Sequence, residues 1–380
     1  MTLDNFNSLY HQVKNSNLHG RFITNSHIKS SLDSLAKPAV SVLGYSVENR
    51  PIYSVKYGQG PIKILLWSQM HGNESTSTKA LFDCFNLFEN DHALATEILE
   101  QCTLVVIPIL NPDGAERFTR VNANTVDLNR DAQDLTQPES QILRQIYTQE
   151  QPDYCFNLHG QRTIFSAGET NKIATLSFLS PAQDPERHLT SNRKAAMAII
   201  AEINSVLQEG IPEGVGRYDD GFNLNCVGDT FQNFGVPTLL YEAGHYPDDY
   251  EREEVRRLMF TAILKGIAVV AQGMDTEAYM AYFNIPENGK CFNDVIIRNV
   301  KRADEKALVD VAIQYKEVLI DRELHFIPVV VRIATLEGQF GHREIDAQGG
   351  FIKDSDNSEI TIGSEIDFVM LNNERISLKP

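Results

Sequence analysis

The sequence predicts an α/β protein: a mixed central sheet flanked by helices, with a smaller all-β domain at its C-terminal end. Three observations carry this. Apolar runs at residues 62–67, 103–109, 154–158 and 236–241 read as buried strands. Stretches with apolar residues at helical spacing lie between them. From about residue 285 the pattern becomes alternating runs joined by turns such as Gly289-Lys290 and Gly349-Gly350. The expected division is residues 1–275 for the larger domain and 276–380 for the β-domain.

The elements follow in order. Residues 5–13 and 26–35 fit short helices. Residues 41–57 hold two alternating runs around Glu48-Asn49, a hairpin. After the turn Gly58-Gln59-Gly60-Pro61, the run 62–67 leads into His71-Gly72-Asn73-Glu74 and then a helix over 75–88, with Ala80, Leu81, Cys84, Phe85 and Phe88 on one face. The run 103–109 ends in Asn111-Pro112-Asp113-Gly114, a strong turn signal. Residues 115–137 read as a polar loop, 138–147 as a helix, and the run 154–158 ends on His159. Residues 160–190 look irregular, 192–207 form an amphipathic helix, and 209–229 read as a Gly-rich loop. The run 236–241 ends on Glu242, and a long helix spans 251–270, with Val255, Leu258, Met259, Ala262 and Ile263 on one face. Further strands are expected at 294–300, 308–319, 326–336, 349–353, 359–362 and 367–371.

Composition narrows the partners. The 380 residues, 42% hydrophobic, suffice for a large core. The net charge of -17 argues against nucleic acid or an anionic membrane as partner. The five cysteines are odd in number and widely spaced, which predicts buried free thiols. Residues 1–20 are polar, and no apolar stretch approaches the ~18 residues of a membrane span. The expectation is a cytoplasmic protein without a membrane anchor.

The chemistry collects at strand ends, where open α/β sheets place their ligands. His71, Glu74 and His159 supply two imidazoles and a carboxylate, a donor set for one catalytic zinc with an open position. Glu242, at the end of a further strand, is the natural carboxylate to take a proton from a water and pass it to a leaving group. Taken alone, His71 and Glu74 also fit a capping arrangement at a helix start, and His159 fits a hydrogen-bonded core histidine.

Taken together, these motifs resemble the zinc carboxypeptidases of the carboxypeptidase A type. His71-Gly72-Asn73-Glu74, Asn111-Pro112-Asp113-Gly114, Asp127-Leu128-Asn129-Arg130, Leu158-His159-Gly160 and Tyr241-Glu242 occur in that family's order. The hairpin over 43–52 is similar as well, and the resemblance covers roughly residues 40–270. It implies a carboxypeptidase-like fold, zinc on His71, Glu74 and His159, and Glu242 as general base and acid. It further implies Arg120 as the cation that polarises the scissile carbonyl, with Arg117 as its competitor, and Asn129 with Arg130 as the grip on the substrate's terminal carboxylate.

The sequence departs from the family in places. Asp131 follows Arg130 where an asparagine is common, and an added carboxylate there would weaken that grip. The family's capping tyrosine has no clear counterpart; Tyr218 lies in about the right loop. Asp229 falls near the family's specificity position and would favour an amine-bearing side chain. His245 has no family role and reads as an outer or surface residue. The expected activity is removal of C-terminal residues from peptides, or cleavage of a small amide that carries a free carboxylate. The alternative is a deacylase of small N-acyl amino acids, of the aspartoacylase and succinylglutamate desuccinylase type, which share some of these elements and carry a C-terminal β-domain. The sequence leaves the oligomeric state open.

Overall fold

The computed structural model describes every residue except 303–306, 355–357 and 373. Strands β1 (Ala39–Tyr45), β2 (Pro51–Tyr57), β3 (Ile62–Ser68), β4 (Cys102–Ile107), β5 (Tyr154–Gly160), β6 (Leu176–Leu179), β7 (Val215–Arg217) and β8 (Thr238–Ala243) form one sheet. Their order is β1-β2-β4-β3-β5-β8-β6-β7. The inner strands β4, β3, β5 and β8 are mutually parallel, while β1–β2, β2–β4 and β8–β6 pair antiparallel. The chain leaves β3 for β4 on one side and returns to β5 on the other. The ends of β3 and β5 therefore flank a topological switch point, where such sheets form a crevice.

Both faces of the inner strands are covered, which is why these runs are continuously apolar. Period-two alternation sends Ile64, Leu66, Leu104, Val106, Phe156 and Leu158 to one core and Leu65, Trp67, Val105, Ile107 and Cys155 to the other. The first core is closed by α1 (Leu3–Val13), α3 (Thr76–Glu89), α4 (Ala93–Gln101), α7 (Ser191–Leu207) and α9 (Glu253–Gln272), with α2 (Asn25–Asp33) at its rim. The second is closed by α6 (Pro138–Glu150) and α8 (Val227–Asn233). The short α5 (Pro112–Arg117) follows β4.

Several local expectations change. Helix α4 was not anticipated, although Leu94, Ala95 and Ile98 give it a buried face. The Asn111–Gly114 turn is the start of α5, with Asn111 Oδ1 accepting from the Gly114 amide at 2.8 Å. Strands β6 and β7 and helix α8 emerge from stretches read as loop. No strand forms over 359–362: Glu359 makes one isolated bridge to Lys353. The cysteines are unpaired; four are buried and Cys226 is half-buried. No helix among the described residues is long and apolar enough to cross a membrane.

The C-terminal region builds its own sheets. Strands β9 (Phe292–Val300), β10 (Val309–Ile320), β11 (Glu323–Ala334) and β12 (Phe340–Asp346) are ordered β11-β10-β9-β12. Ile352, Val369 and Leu371, from a small three-stranded sheet, pack with Val295, Val311 and Val330 into a separate core. Ahead of it, Tyr282 and Ile285 belong to the larger core, and Asn288–Gly289 pairs with Ser166–Ala167.

One buried ion pair joins the ends of the larger unit. Arg256 of α9 grips Asp83 of α3 through Nε and Nη2, both at 2.7 Å, with neither side chain exposed. Its remaining N–H groups donate to the carbonyls of Leu18 and Asn15 and to Glu253 Oε2 at 3.1 Å. Removing one partner of such a pair leaves the other charge buried and alone, at a cost of about 3–5 kcal/mol. Arg256→Met is expected to lower the unfolding free energy by that amount in urea titration. A loss under about 1 kcal/mol would show that the pair is not holding the N-terminal segment.

Candidate metal centre

The site assembles at the switch point. Three residues beyond β3, His71 turns its Nδ1 toward Glu74 Oε1 at 3.0 Å and toward His159 Nδ1 at 3.0 Å. The second carboxylate oxygen, Glu74 Oε2, lies 3.0 Å from His159 Nδ1 and accepts the Gly160 amide at 3.0 Å. Both imidazoles are buried, at 2% exposure. Helix α3 begins after Ser75 with no side-chain cap, so Glu74 faces the imidazoles instead of closing the helix.

Backbone packing forces this geometry. A Cβ on Gly72 would stand 2.0 Å from the Gly114 carbonyl carbon, so only glycine lets the histidine loop settle against the turn after β4. That turn is fixed in its own right. Asn111 Nδ2 donates to the Met70 carbonyl at 3.2 Å. The buried Asp113 carboxylate accepts from Ser46 Oγ at 2.7 Å, the Glu48 amide at 3.0 Å and Arg50 Nη1 at 2.6 Å. The β1–β2 hairpin thus clamps the turn that supports the histidine loop.

Asp127 completes the histidine's surroundings. Its Oδ1 lies 3.0 Å from His71 Nε2, and Oδ2 accepts from Arg120 Nε at 3.0 Å. A carboxylate only accepts, so Nε2 carries a proton. Nδ1 faces a carboxylate as well, Glu74 Oε1; burial opposes the His71 charge, but the Glu74 charge and the bonds to Asp127 and Glu74 outweigh it and raise the His71 pKa. Arg120 Nη1 lies 3.2 Å from that Nδ1. Burial pushes the Glu74 carboxyl up, yet the His71 charge and the bonds to both histidines hold it well below the usual range. Burial, then the neighbouring His71, lowers His159. An ionised carboxylate and a neutral His159 are the states a metal ligand needs.

The donor set fits zinc. Ligand atoms of a tetrahedral zinc stand roughly 3.3 Å apart, and the separations here are 3.0 Å. A carboxylate holding the far nitrogen of a ligand imidazole is the usual outer support of such a centre.

Glu242 lies beside this cluster. It is the in-register partner of His159 across β5 and β8, so both side chains leave the same face of the sheet. Its Oε2 is buried and accepts no hydrogen bond among the described residues. Burial and then the Glu74 charge push its carboxyl well above the ordinary value.

The remaining predicted residues are near the site. Arg120, not Arg117, reaches the cluster; Arg117 pairs with Glu48 of the hairpin. Asn129 Oδ1 accepts the Val227 amide at 3.0 Å, and Arg130 Nη1 donates to the Asn129 carbonyl at 2.7 Å. Asp131 does not pair with Arg130: its carboxylate accepts from Thr136 and the Gln137 amide. Tyr218 donates to Gln161 Oε1 at 2.9 Å, and its hydroxyl pKa is raised by burial and by Glu242. Asp229 is buried in the first turn of α8, accepts the Asn223 amide at 3.1 Å, and is pushed up to about 6 by burial. His245 is not a surface residue: it is 1% exposed, with its ring 4.2 Å from that of His342 in the C-terminal region.

Sequence reading missed the support that Asp127 gives His71, and Arg252 altogether. Asp127 opens the Asp127-Leu128-Asn129-Arg130 motif, but its partner is 56 residues away. Arg252, 4% exposed, donates to the Ala243 and Gln161 carbonyls, both at 2.6 Å.

Residues 29–265 match the zinc carboxypeptidase family model. The chain belongs to the zinc carboxypeptidase family. Mouse carboxypeptidase D is 30% identical over 134 residues, 30% of this chain and 10% of that protein. The first curated relatives are likewise matched over only 20% of their length. A metallo-carboxypeptidase from Burkholderia cenocepacia superposes with a TM-score of 0.51 at 20% identity, covering 64% of this chain and 67% of that one. Carboxypeptidase A from Helicoverpa armigera superposes with a TM-score of 0.52 at 16% identity, covering 71% and 81%. At these identities the structural likeness speaks to the fold alone.

Asp127→Asn is expected to weaken zinc binding about 10–100-fold, measured by competition with a chromophoric chelator. Unchanged affinity would remove Asp127 from the support of His71.

Proposed function

We propose that the protein is a zinc-dependent carboxypeptidase that removes C-terminal residues from peptides. The observation that carries this is the meeting of His71, Glu74 and His159 beside Glu242, whose buried Oε2 accepts no hydrogen bond among the described residues. Zinc, when bound by the three donors, one ion per chain, supplies Lewis acidity and lowers the pKa of water at its open position.

The chain's own residues do the rest. Glu242 takes the proton of the attacking water and delivers it to the leaving nitrogen. Its Oε2, buried and accepting no hydrogen bond among the described residues, is available for both halves of that exchange. Arg120, tethered by Asp127, holds a guanidinium where negative charge develops on the carbonyl oxygen. Asn129 and Arg130 receive the substrate's terminal carboxylate, which a planar guanidinium matches in shape. The occupation of Asp131 elsewhere leaves Arg130 free for that role. Tyr218, within the field of Glu242 and Glu74, borders the reacting centre. Asp229 lies in the field of Arg130 and, ionised at neutral pH, favours an amine on the departing side chain.

The alternative, a deacylase of small N-acyl amino acids, draws support from one feature. Gln314, Tyr315 and Glu317 of β10 line the cavity that also holds Glu74, which narrows the room for a long acyl side.

Purified protein should hold about one zinc per chain and release free amino acids from peptide C-termini. Glu242→Gln should keep the zinc and lose turnover about 10²–10⁴-fold; His159→Ala should lose both. Normal turnover by Glu242→Gln would remove the proposed base. Cleavage confined to acyl amino acids would select the deacylase.

A further inference from the structure

The cavity beside the metal centre carries an excess of positive charge that the proposed chemistry does not use. It measures about 300 Å³ and is lined by Arg21, Arg120, Arg162 and Arg252 against the carboxylates of Glu74 and Glu317. Glu74 is committed to the histidines. Glu317 is taken by Arg21 in a two-point grip at 2.5 and 2.9 Å. Arg120 is held by Asp127. Arg252 is buried against carbonyl oxygens only. Arg162 is exposed and makes no ion pair or side-chain hydrogen bond among the described residues. Among the described residues, Arg162 and Arg252 thus share one cavity without a carboxylate in ion-pair contact. They feel carboxylates only at longer range, among them Glu317, which Arg21 already holds, an arrangement that gains from an anion.

The cavity's place gives the anion's position on the substrate. Its lining includes Asn73, Glu74, Gly160 and Gln161 but neither Asn129, Arg130 nor Glu242. The metal donor Glu74 thus borders the cavity, while the groups assigned to the terminal carboxylate stand outside it. Resting on the carboxypeptidase reading, we propose that this cavity is an acyl-side subsite for a carboxylate on the residue immediately N-terminal to the cleaved bond. Arg162 is its main selector, and β10 is its outer wall. Arg162 is the apt group to vary, because its exposure and lack of partners leave the fold untouched.

The test uses pairs of acetyl-Glu-X and acetyl-Gln-X across a panel of C-terminal residues X, with the zinc-loaded full chain. The wild type should prefer the glutamyl member about tenfold in kcat/KM. Arg162→Gln should bring the ratio near one, and Arg162→Lys should restore part of it. Equal cleavage of the pair, or a preference that survives Arg162→Gln, overturns the subsite and leaves the carboxypeptidase reading standing. If no pair is cleaved, that reading fails, and calorimetry with N-acetylglutamate and N-acetylglutamine decides the subsite alone. Tighter binding of the glutamate, lost in Arg162→Gln, supports it; no difference between the two probes overturns it.

Discussion

Two buried imidazole nitrogens facing each other at 3.0 Å across one half-buried carboxylate form a demanding arrangement. Lone pairs pointed at a common centre repel unless a cation lies between them, and burial removes the water that would screen them. Such a cluster persists only where its surroundings fix it. Much of the larger unit serves that purpose. The β3–β4–β5 order brings two strand ends together, Gly72 lets the histidine loop reach the turn after β4, and Asp113 ties that turn to the hairpin. Asp127 then fixes the His71 proton from the far side.

The C-terminal region adds a wall. Arg21 binds Glu317, and Gln314 Nε2 donates to Thr163 Oγ1 at 2.7 Å. Tyr250 donates to Asp294, whose other oxygen accepts the Tyr315 amide. His245 and His342 pack ring against ring at the same boundary. These contacts join both parts of the chain beside the metal donors, so the region bears on which substrates fit as well as on stability.

Much of the site was legible in the sequence because its residues end buried strands, and strand ends are marked by a break from apolar to polar. His71, His159 and Glu242 each follow such a run. The family resemblance separated Arg120 from Arg117 and pointed to Asn129 and Arg130; the structure brings Arg120 to the cluster. What escaped were relations fixed by tertiary distance. Asp127 meets His71 across 56 residues, and Arg252 reaches the end of β5 from the start of α9. The short β6 and β7 lacked periodicity because four and three residues are too few to show it. The strand expected at 359–362 had the alternation of Ile360 and Ile362 but, among the described residues, only one bridging partner, and pairing, not pattern, decides a strand.

If His71, Glu74 and His159 hold one zinc ion, X-ray absorption at the zinc edge of the loaded protein should show a shell of light scatterers at about 2.0–2.1 Å with the outer-shell pattern of two imidazoles. Sulfur at about 2.3 Å, or the absence of imidazole scattering, would contradict that assignment.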